Sequence, residues 1–392
     1  MQRSFFGLAL VLGLVSAVGP FAIDMYLPAL PTIGQALGAS PGAVQATLIV
    51  FFVALGAGQV VYGPVSDMLG RKRPLYFGLA LFGIGSIGCA LAPDVPTLIA
   101  MRFVQGIGAC AGMVIPRAIV RDLHTGHDAA RLMSMLMLVF SVSPILAPLS
   151  GSLLIDAFGW RAVFWAVAVT AVFSALLLYT SLPETRAPED RANSSFRSAL
   201  HSYGVLMRDS HFLGLALIGG FGIASFFAYL ANSSFVLIDH YGLSPRQYSV
   251  AFAANAASFI GVSQMTGRWG ARFGLGRMVK VAVTAYAAIM AIALLLQLAG
   301  VESLAVMLVL LFVGYGALGL VVPATMVLSM EEHGAIAGTA SALGGTLHFA
   351  CGILVMGLLG PFANGAPVPM LVGIAASAAL ACAFAWGTLR RR

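Results

Sequence analysis

Residues 5–29 read FFGLALVLGLVSAVGPFAIDMYLPA and carry one charged side chain, Asp24. A helix rises about 1.5 Å per residue and a bilayer's hydrocarbon core is about 30 Å thick, so about 20 apolar residues can cross it. The stretch is therefore predicted to span a membrane. Its apolar run is too long for a signal peptide and leads to Asp24 and Pro28 without a clear small-residue cleavage site, so we expect this span to be retained.

The same pattern recurs along the chain of 392 residues, which is 60% hydrophobic and 9% charged, whereas soluble proteins are about 25% charged. Eleven further spans are predicted at 43–66, 75–93, 97–122, 132–156, 161–182, 212–238, 248–268, 279–300, 303–328, 336–360 and 367–388. The expected fold class is an all-α membrane protein with twelve transmembrane helices in two pseudo-symmetric six-helix bundles. No sizeable water-soluble domain fits beside them.

One long polar segment, beginning PETRAPEDRANSS at Pro183, separates the sixth and seventh spans. It predicts an N-terminal bundle at 1–182, a cytoplasmic linker at 183–210 and a C-terminal bundle at 211–392. The two halves also repeat one another, since GPVSDMLGRKR at 63–73 aligns with GRWGARFGLGR at 267–277. Such a repeat indicates duplication of a six-helix unit.

The net charge of +7 does not indicate nucleic-acid binding, because the basic residues concentrate in alternate short loops. Lys and Arg mark cytoplasmic loops, which predicts that both termini are cytoplasmic. Only Arg161 and Arg246 fall clearly on the opposite side. The four cysteines lie singly in apolar segments without metal-ligand spacing, so we expect small packing residues and neither a metal site nor a cofactor.

The loop G-x-x-x-D-x-x-G-R-K-R and the fourth span, RFVQGIGACAGMVIPRAIVRD, resemble the major facilitator superfamily. AIDMYLPALP from Ala22, SVSPILAPLSG from Ser141 and FFAYLANSSFVLIDHYGLSP from Phe226 are similar to its bicyclomycin and chloramphenicol resistance branch of drug:proton antiporters. That branch usually has Ser-Pro-Phe-Val where this chain has Ser233-Ser234-Phe235-Val236, and loss of the proline changes how the seventh span can bend near the expected cavity.

The resemblance implies a multi-pass protein of the bacterial inner membrane that exports a small amphipathic compound, such as an antibiotic, by alternating access. Because one chain contains both halves, we expect it to work as a monomer. Its partners would be that compound, protons and the lipid bilayer, without nucleic acid, and a proton gradient rather than a cofactor would supply the energy.

Asp24 is the first candidate for proton coupling, because an acid in a span must face the bundle interior or a water-filled cleft. A conformational change that alters its burial or brings a cation near would load or release a proton. Arg102 enters the fourth span at a similar depth, and Gln105 lies one turn further along. The alternatives are that Asp24 is an interfacial acid and that Arg102 extends to the outer headgroups.

The substrate cavity is predicted from polar and aromatic residues of both halves, since apolar walls supply affinity and a few polar groups orient a ligand. The candidates are Tyr26, Gln105, Arg117, Phe226, Tyr229, Asn232, Asn255 and His348. Arg117 could instead reach the inner interface. For each of the others the alternative is an ordinary packing or hydrogen-bonding role.

Gating is predicted at the loop after the second span, where glycines permit a tight turn and the acid can pair with a basic residue, and at fifth-span prolines that bend the helix. These candidates are Gly63, Asp67, Gly70, Arg71, Arg73, Pro144 and Pro148. The alternative for the loop is a simple turn anchored by its positive charges.

Rival functions are uptake or export of a metabolite such as an amino acid or organic acid, bound by Arg102 and Arg117, and a receptor or channel. The sequence lacks a sensor domain and a charged pore ring. It also lacks HExxH, GxSxG and Walker motifs, so we do not expect an enzyme or an ATP-driven pump.

Overall fold

The computed structural model describes residues 5–124, 126–189, 203–331, 333 and 337–389. The middle of the predicted linker, 190–202, lies outside these residues. Contacts divide the chain into two compact units, one of Met1–Ala39 with Ala46–Phe196 and one of Ser40–Gln45 with Arg197–Arg392. The bundle boundaries expected from the sequence remain a prediction.

The fold is all-helical. The first unit contains α1 (Phe5–Asp24), α2 (Leu30–Leu37), α3 (Pro41–Leu69), α4 (Lys72–Leu91), α5 (Val95–Leu123), α6 (Gly126–Phe158) and α7 (Arg161–Ser181), although the first residues of α3 cluster with the other unit. The second unit contains α8 (Ser210–Ser234), α9 (Pro245–Ser263), α10 (Thr266–Phe273), α11 (Leu275–Leu298), α12 (Leu304–Glu331), α13 (Ala337–Leu359) and α14 (Pro367–Thr388).

Eleven segments within the described ranges are long and apolar enough to cross a membrane. The predicted eighth span is helical but less apolar, and it is divided into α9 and the short α10. Its predicted single helix over 248–268 is therefore wrong. Arg268 and Arg272 give α10 a polar face, which suits the membrane surface better than its interior.

The first predicted span also differs from the structure. Helix α1 ends at Asp24, a short 3₁₀ turn covers Leu27–Ala29, and α2 follows. Pro28 and Pro31 lie in the first positions of the two later segments, where a missing N–H is tolerated but an α-helix continuing from before them is interrupted. Asp24 therefore lies at a helix end rather than within a continuous helix.

Glycines bring the helices of the first unit close together. A side chain at Gly85 of α4 would meet the backbone of Gln105 on α5, and one at Gly108 of α5 would meet the backbone of Phe82 on α4. Small residues of this kind allow close helix approach in membranes, where burial of apolar surface provides little driving force. Helix α1, which ends at Asp24, packs against α5, α6 and α7.

In the second unit, α8 packs against α12, α13 and α14. The α-helix ends at Ser234 and continues as a π-helix over Phe235–His240. The sequence departs from the resembled branch at Ser234, where that branch has proline, and the helix passes this position without a break. π-helical turns are rare and often occur at functional sites.

The start of α8 is fixed by Asp209. Its carboxylate accepts a hydrogen bond from the backbone N–H of His211 and lies 2.8 Å from Nε2 of His333. Partial burial acts to raise the pKa of Asp209, but the hydrogen bonds from His333 and the helix backbone outweigh it, and the pKa is lowered. The pair connects the start of α8 to the segment after α12.

Candidate functional site

Asp24 is buried, with 6% of its surface exposed. Its Oδ2 atom accepts a hydrogen bond from the Ser143 hydroxyl of α6 at 3.2 Å. It forms no ion pair with any residue that the structure describes. The carboxylate also lies at the negative end of the α1 dipole. A charge in such a place is costly unless a cation or a proton compensates it.

Arg102 is fully buried on α5. Its guanidinium carbon lies 4.5 Å from the ring centre of Tyr26 and 4.2 Å from that of Phe51, so two aromatic faces hold the cation. Nη1 donates to the backbone carbonyl of Ala22 and to Oε1 of Gln105. Nε and Nη2 have no hydrogen-bond partner in the described part of the chain. Arg102 therefore faces the bundle interior and does not extend to the headgroups.

Gln105 connects Arg102 by hydrogen bonds to helix α4. Its Nε2 donates to the Ser86 hydroxyl at 2.8 Å, and that hydroxyl donates to the carbonyl of Phe82. The Tyr26 hydroxyl is hydrogen-bonded to Thr47 at 2.8 Å. Tyr26 and Gln105, two of the predicted cavity residues, are both fully buried and contact Arg102, and their place in a substrate cavity stays a prediction.

The structure brings Asp24 and Arg102 into one region without joining them directly. Arg102 donates to Ala22, which lies two residues before Asp24 on α1, while Asp24 accepts from Ser143. The predicted pairing of the two charges is therefore absent as an ion pair among the described residues. Asp24 belongs to the last turn of α1, and Arg102 is hydrogen-bonded to that same turn. Movement of the turn would therefore change the environment of both charged groups.

Arg117 lies fifteen residues beyond Arg102 on α5, about 22 Å along the axis. Its side chain is exposed, and the guanidinium carbon lies 5.2 Å from the ring centre of Phe140. No ion pair or hydrogen bond with a described residue engages it. Arg117 therefore forms a second cationic position, separate from Arg102.

The predicted gating loop contains a network around Arg71. Its Nε and Nη2 atoms donate to the two carboxylate oxygens of Asp122 at 2.7 and 3.0 Å, and Nη1 donates to Asp67 at 2.6 Å and to Ser66 at 2.8 Å. Burial acts against the charged form, but the two carboxylates raise the pKa of Arg71 above its ordinary value. The network joins the end of α3, the start of α4 and the end of α5.

Glu184, which follows α7, extends this network. Its two carboxylate oxygens accept hydrogen bonds from the backbone N–H groups of Arg71 and Lys72 at 2.8 and 3.1 Å. An acid at a helix N-terminus satisfies unpaired donors and complements the helix dipole. The first residues after the sixth span thus cap α4.

The two glycines of the loop have different roles. Gly70 has φ of +87° and makes the turn between α3 and α4, whereas Gly63 lies inside α3 with open space where a side chain would be. The expectation that both permit the turn is wrong for Gly63. Gly274, the repeat counterpart of Gly70, also has positive φ, at +79°.

Pro144 and Pro148 both lie inside α6, which continues through them. A proline within a helix removes a backbone hydrogen bond and favours a bend. Ser143, the donor to Asp24, immediately precedes Pro144. On the same helix, Gly151 lies so close to the backbone of Met25 that a side chain would not fit. A bend in α6 would therefore act directly on the end of α1.

In the second unit, Tyr229 and Asn255 are buried and bonded to each other, with Asn255 Nδ2 donating to the tyrosine hydroxyl at 3.0 Å. Phe252 stacks on Tyr229, and the half-buried Phe226 contacts both Phe252 and Tyr315. The three predicted cavity residues Phe226, Tyr229 and Asn255 thus form one aromatic cluster. Within it, the polar groups of Tyr229 and Asn255 are bonded to each other, whereas the buried Tyr315 hydroxyl has no hydrogen-bond partner among the described residues.

The other two predicted cavity residues lie elsewhere in this unit. Asn232 is buried; its amide donates to the carbonyl of Ala228 and accepts from Gln45 at 2.9 Å. His348 is half-buried on α13, against Gly219 of α8 and near the Thr325 hydroxyl of α12. A side chain at Gly219 would collide with both groups.

Sequence reasoning missed several members of these sites. Phe51, Thr47 and Ser86 carry no signal in an apolar span, because such residues are common in helix packing. Asp122 and Glu184 were visible as acids at span ends, but only the folded chain brings them to Arg71. The charged residues within the spans were predictable from the sequence, because few charges are tolerated in the hydrocarbon core.

A sequence profile of the Major Facilitator Superfamily matches residues 12–356. The Bacillus subtilis (strain 168) protein named uncharacterized MFS-type transporter YdgK is 38% identical over 356 residues, covering 90% of this chain and 88% of its own. The bicyclomycin resistance protein homolog of Haemophilus influenzae is 29% identical, covering 94% and 93%. The chloramphenicol resistance protein of Pseudomonas aeruginosa is 28% identical, covering 89% and 84%.

Solved structures share the fold. A D-xylose-proton symporter superimposes with a TM-score of 0.76 at 16% identity, covering 98% of each chain. The nucleoside transporter NupG gives a TM-score of 0.75 at 17% identity, covering 98% of this chain and 100% of its own. At these identities the likeness establishes the architecture alone.

Proposed function

Because the chain belongs to the Major Facilitator Superfamily, we propose that it exports a small amphipathic compound, such as an antibiotic, in exchange for protons. As a member it is a multi-pass secondary transporter of small molecules and not an enzyme. Export of a drug is supported by the relatives named for resistance to bicyclomycin and chloramphenicol. The bacterial relatives and the basic loops support an inner-membrane location with cytoplasmic termini.

The observation that carries the proposal is the burial of Asp24 with a hydroxyl as its only described partner. Protonation neutralises the carboxylate and so removes the cost of burying a charge. A cation that approached the carboxylate would offset the same cost by forming an ion pair with it. Arg102 can supply that cation because it already bonds to the last turn of α1. Asp24 would therefore exchange the proton and Arg102 would tune it.

Alternating access requires elements with two arrangements. The prolines of α6 lie beside the Asp24 contact, and the Arg71 network fastens three helix ends together. In this scheme the bend transmits movement to α1, and the loop from Gly63 to Arg73 stabilises one closed state. The aromatic cluster around Tyr229, with Asn232 and His348, would shape the second unit's side of the pathway.

Transport in everted vesicles with an imposed pH gradient tests the proposal. We expect a panel of amphipathic antibiotics to contain compounds that collapse the gradient, and Asp24→Asn to abolish this effect while insertion is unchanged. Asp156→Asn is a matched control, since Asp156 is an exposed acid at the end of α6. Full gradient-driven efflux by Asp24→Asn would remove Asp24 from the coupling role.

A second candidate is transport of an organic acid, favoured by the exposed side chain of Arg117, which forms no ion pair or hydrogen bond with a described residue. A carboxylate binds well to such a group. In proteoliposomes, carboxylates that compete with transport by the original chain but no longer compete in Arg117→Gln would favour this cargo. Competition by neutral amphiphiles that is insensitive to Arg117→Gln would favour the first candidate.

A further inference from the structure

A groove of about 570 Å³ lies in the first unit between α3, α4 and α5. Its size falls within the range of about 300 to 1,000 Å³ that is typical of small-molecule sites. The lining is apolar except for Tyr62 and Arg73. Val61 and Phe77 on its rim are 51% and 61% exposed, so this is uncovered apolar surface on spanning helices.

A cation lies at one end of the groove. Arg73, in the first turn of α4, lines it beside Leu69. Its side chain is exposed and forms no ion pair or hydrogen bond with any residue in the described ranges. Arg71, two positions earlier, is by contrast paired with the carboxylates of Asp67 and Asp122.

We propose that the groove binds an anionic phospholipid, with the acyl chain along α3 and the phosphate on Arg73. The lining runs from Ala54 to Leu69 on α3, fifteen residue steps, or about 22 Å of helix. A leaflet is about 15 Å deep, half of the hydrocarbon core, so the groove can hold an acyl chain through its whole depth.

Charge complementarity selects the headgroup. In the predicted orientation Arg73 faces the cytoplasm, and basic pockets between helices on that side suit anionic headgroups. Phosphatidylglycerol offers its phosphate without a compensating ammonium group, whereas phosphatidylcholine carries one. The inference is independent of proton coupling, because neither Asp24 nor Arg102 lines the groove.

Native mass spectrometry of the purified full-length chain, titrated with phosphatidylglycerol or phosphatidylcholine, tests this site. We expect retained phosphatidylglycerol to fall at least fivefold in Arg73→Gln and to persist in Arg73→Lys. Ala57→Phe should also displace it, since Ala57 is an exposed residue of the lining and the larger ring fills the apolar part. Arg277→Gln, at the repeat counterpart of Arg73, is the matched control and should retain the lipid.

A phosphatidylglycerol probe with a photoreactive acyl chain gives an independent readout. Labelling of the peptides that contain Val61 and Phe103, with competition by phosphatidylglycerol but not by inorganic phosphate, would support the site. Equal retention of the two lipids, or equal loss in Arg73→Gln and Arg277→Gln, would overturn it. Displacement of the probe by the transported compound would also overturn it, since the groove would then bind cargo.

Discussion

Asp122 and Asp67 share the Arg71 guanidinium, but water reaches them unequally. The side chain of Asp122 is 10% exposed and that of Asp67 is 41% exposed. Asp122 also binds through both oxygens, whereas Asp67 uses one. Exposed ion pairs contribute little to the free energy of unfolding, but removing one partner of a buried pair leaves an uncompensated buried charge.

Asp122→Asn should therefore lower the free energy of unfolding by about 3 kcal/mol, and Asp67→Asn by less than about 1 kcal/mol. Reversible unfolding of the purified protein in mixed detergent and SDS measures both values. Thr185→Val is a useful comparison, because Thr185 also donates to Asp122 but carries no charge. Equal losses for the two acids would contradict the argument from burial.

At the residue scale, charges were easier to predict from the sequence than their partners. Asp24 and Arg102 are conspicuous because few charges are tolerated in a span. Their contacts were not predictable: Ser143 resembles any small helix-packing residue, and the aromatic rings around Arg102 come from distant sequence positions. Pairing across helices depends on rotation about each helix axis, which apolar spans barely specify.

At the element scale, the loop between α3 and α4 separates two glycines that the sequence pattern treats alike. Gly70 has φ of +87°, a conformation that disfavours any side chain, and Gly63 is helical with open space around it. Helix interiors prefer alanine to glycine by up to about 1 kcal/mol, whereas a positive φ costs an L-residue about 1 to 2 kcal/mol.

Gly63→Ala should therefore leave stability unchanged or raise it slightly, while Gly70→Ala lowers the free energy of unfolding by about 1 to 2 kcal/mol. The same SDS titration measures both variants, and Gly274→Ala should behave like Gly70→Ala because its φ is +79°. A loss of transport without a loss of stability in Gly63→Ala would instead assign Gly63 a role in gating movement.

Helix ends were predicted well where charges or prolines mark them and less well where backbone geometry decides. The twelfth span begins at Pro367 and the sixth at Arg161, as expected. The π-helical end of α8 had no sequence signal beyond the missing proline at Ser234. The interruption between α9 and α10 falls at Gln264 and Met265, which carry no glycine, proline or charge to mark a helix end within the predicted span.

At the scale of the whole molecule, the alternation of apolar spans and basic loops predicted the fold class, because lipid leaves few choices for a spanning backbone. The sequence repeat at Gly70 and Gly274 reappears as two turns in which the glycine has a positive φ, +87° and +79°. The cargo is not specified in the same way, because apolar walls with a few polar groups suit many amphipathic molecules.

Orientation is the whole-molecule prediction on which the cytoplasmic placement of the Arg71 network and Arg73 depends. In a background with the four free cysteines replaced, Asn364→Cys should react with a membrane-impermeant maleimide added to intact cells. Arg268→Cys should react only after permeabilisation, because basic loops are retained in the cytoplasm. Both parent side chains are exposed, so burial does not explain a difference between them. The reverse labelling pattern would place Arg73 in the outer leaflet and would invalidate the direction assigned to proton exchange.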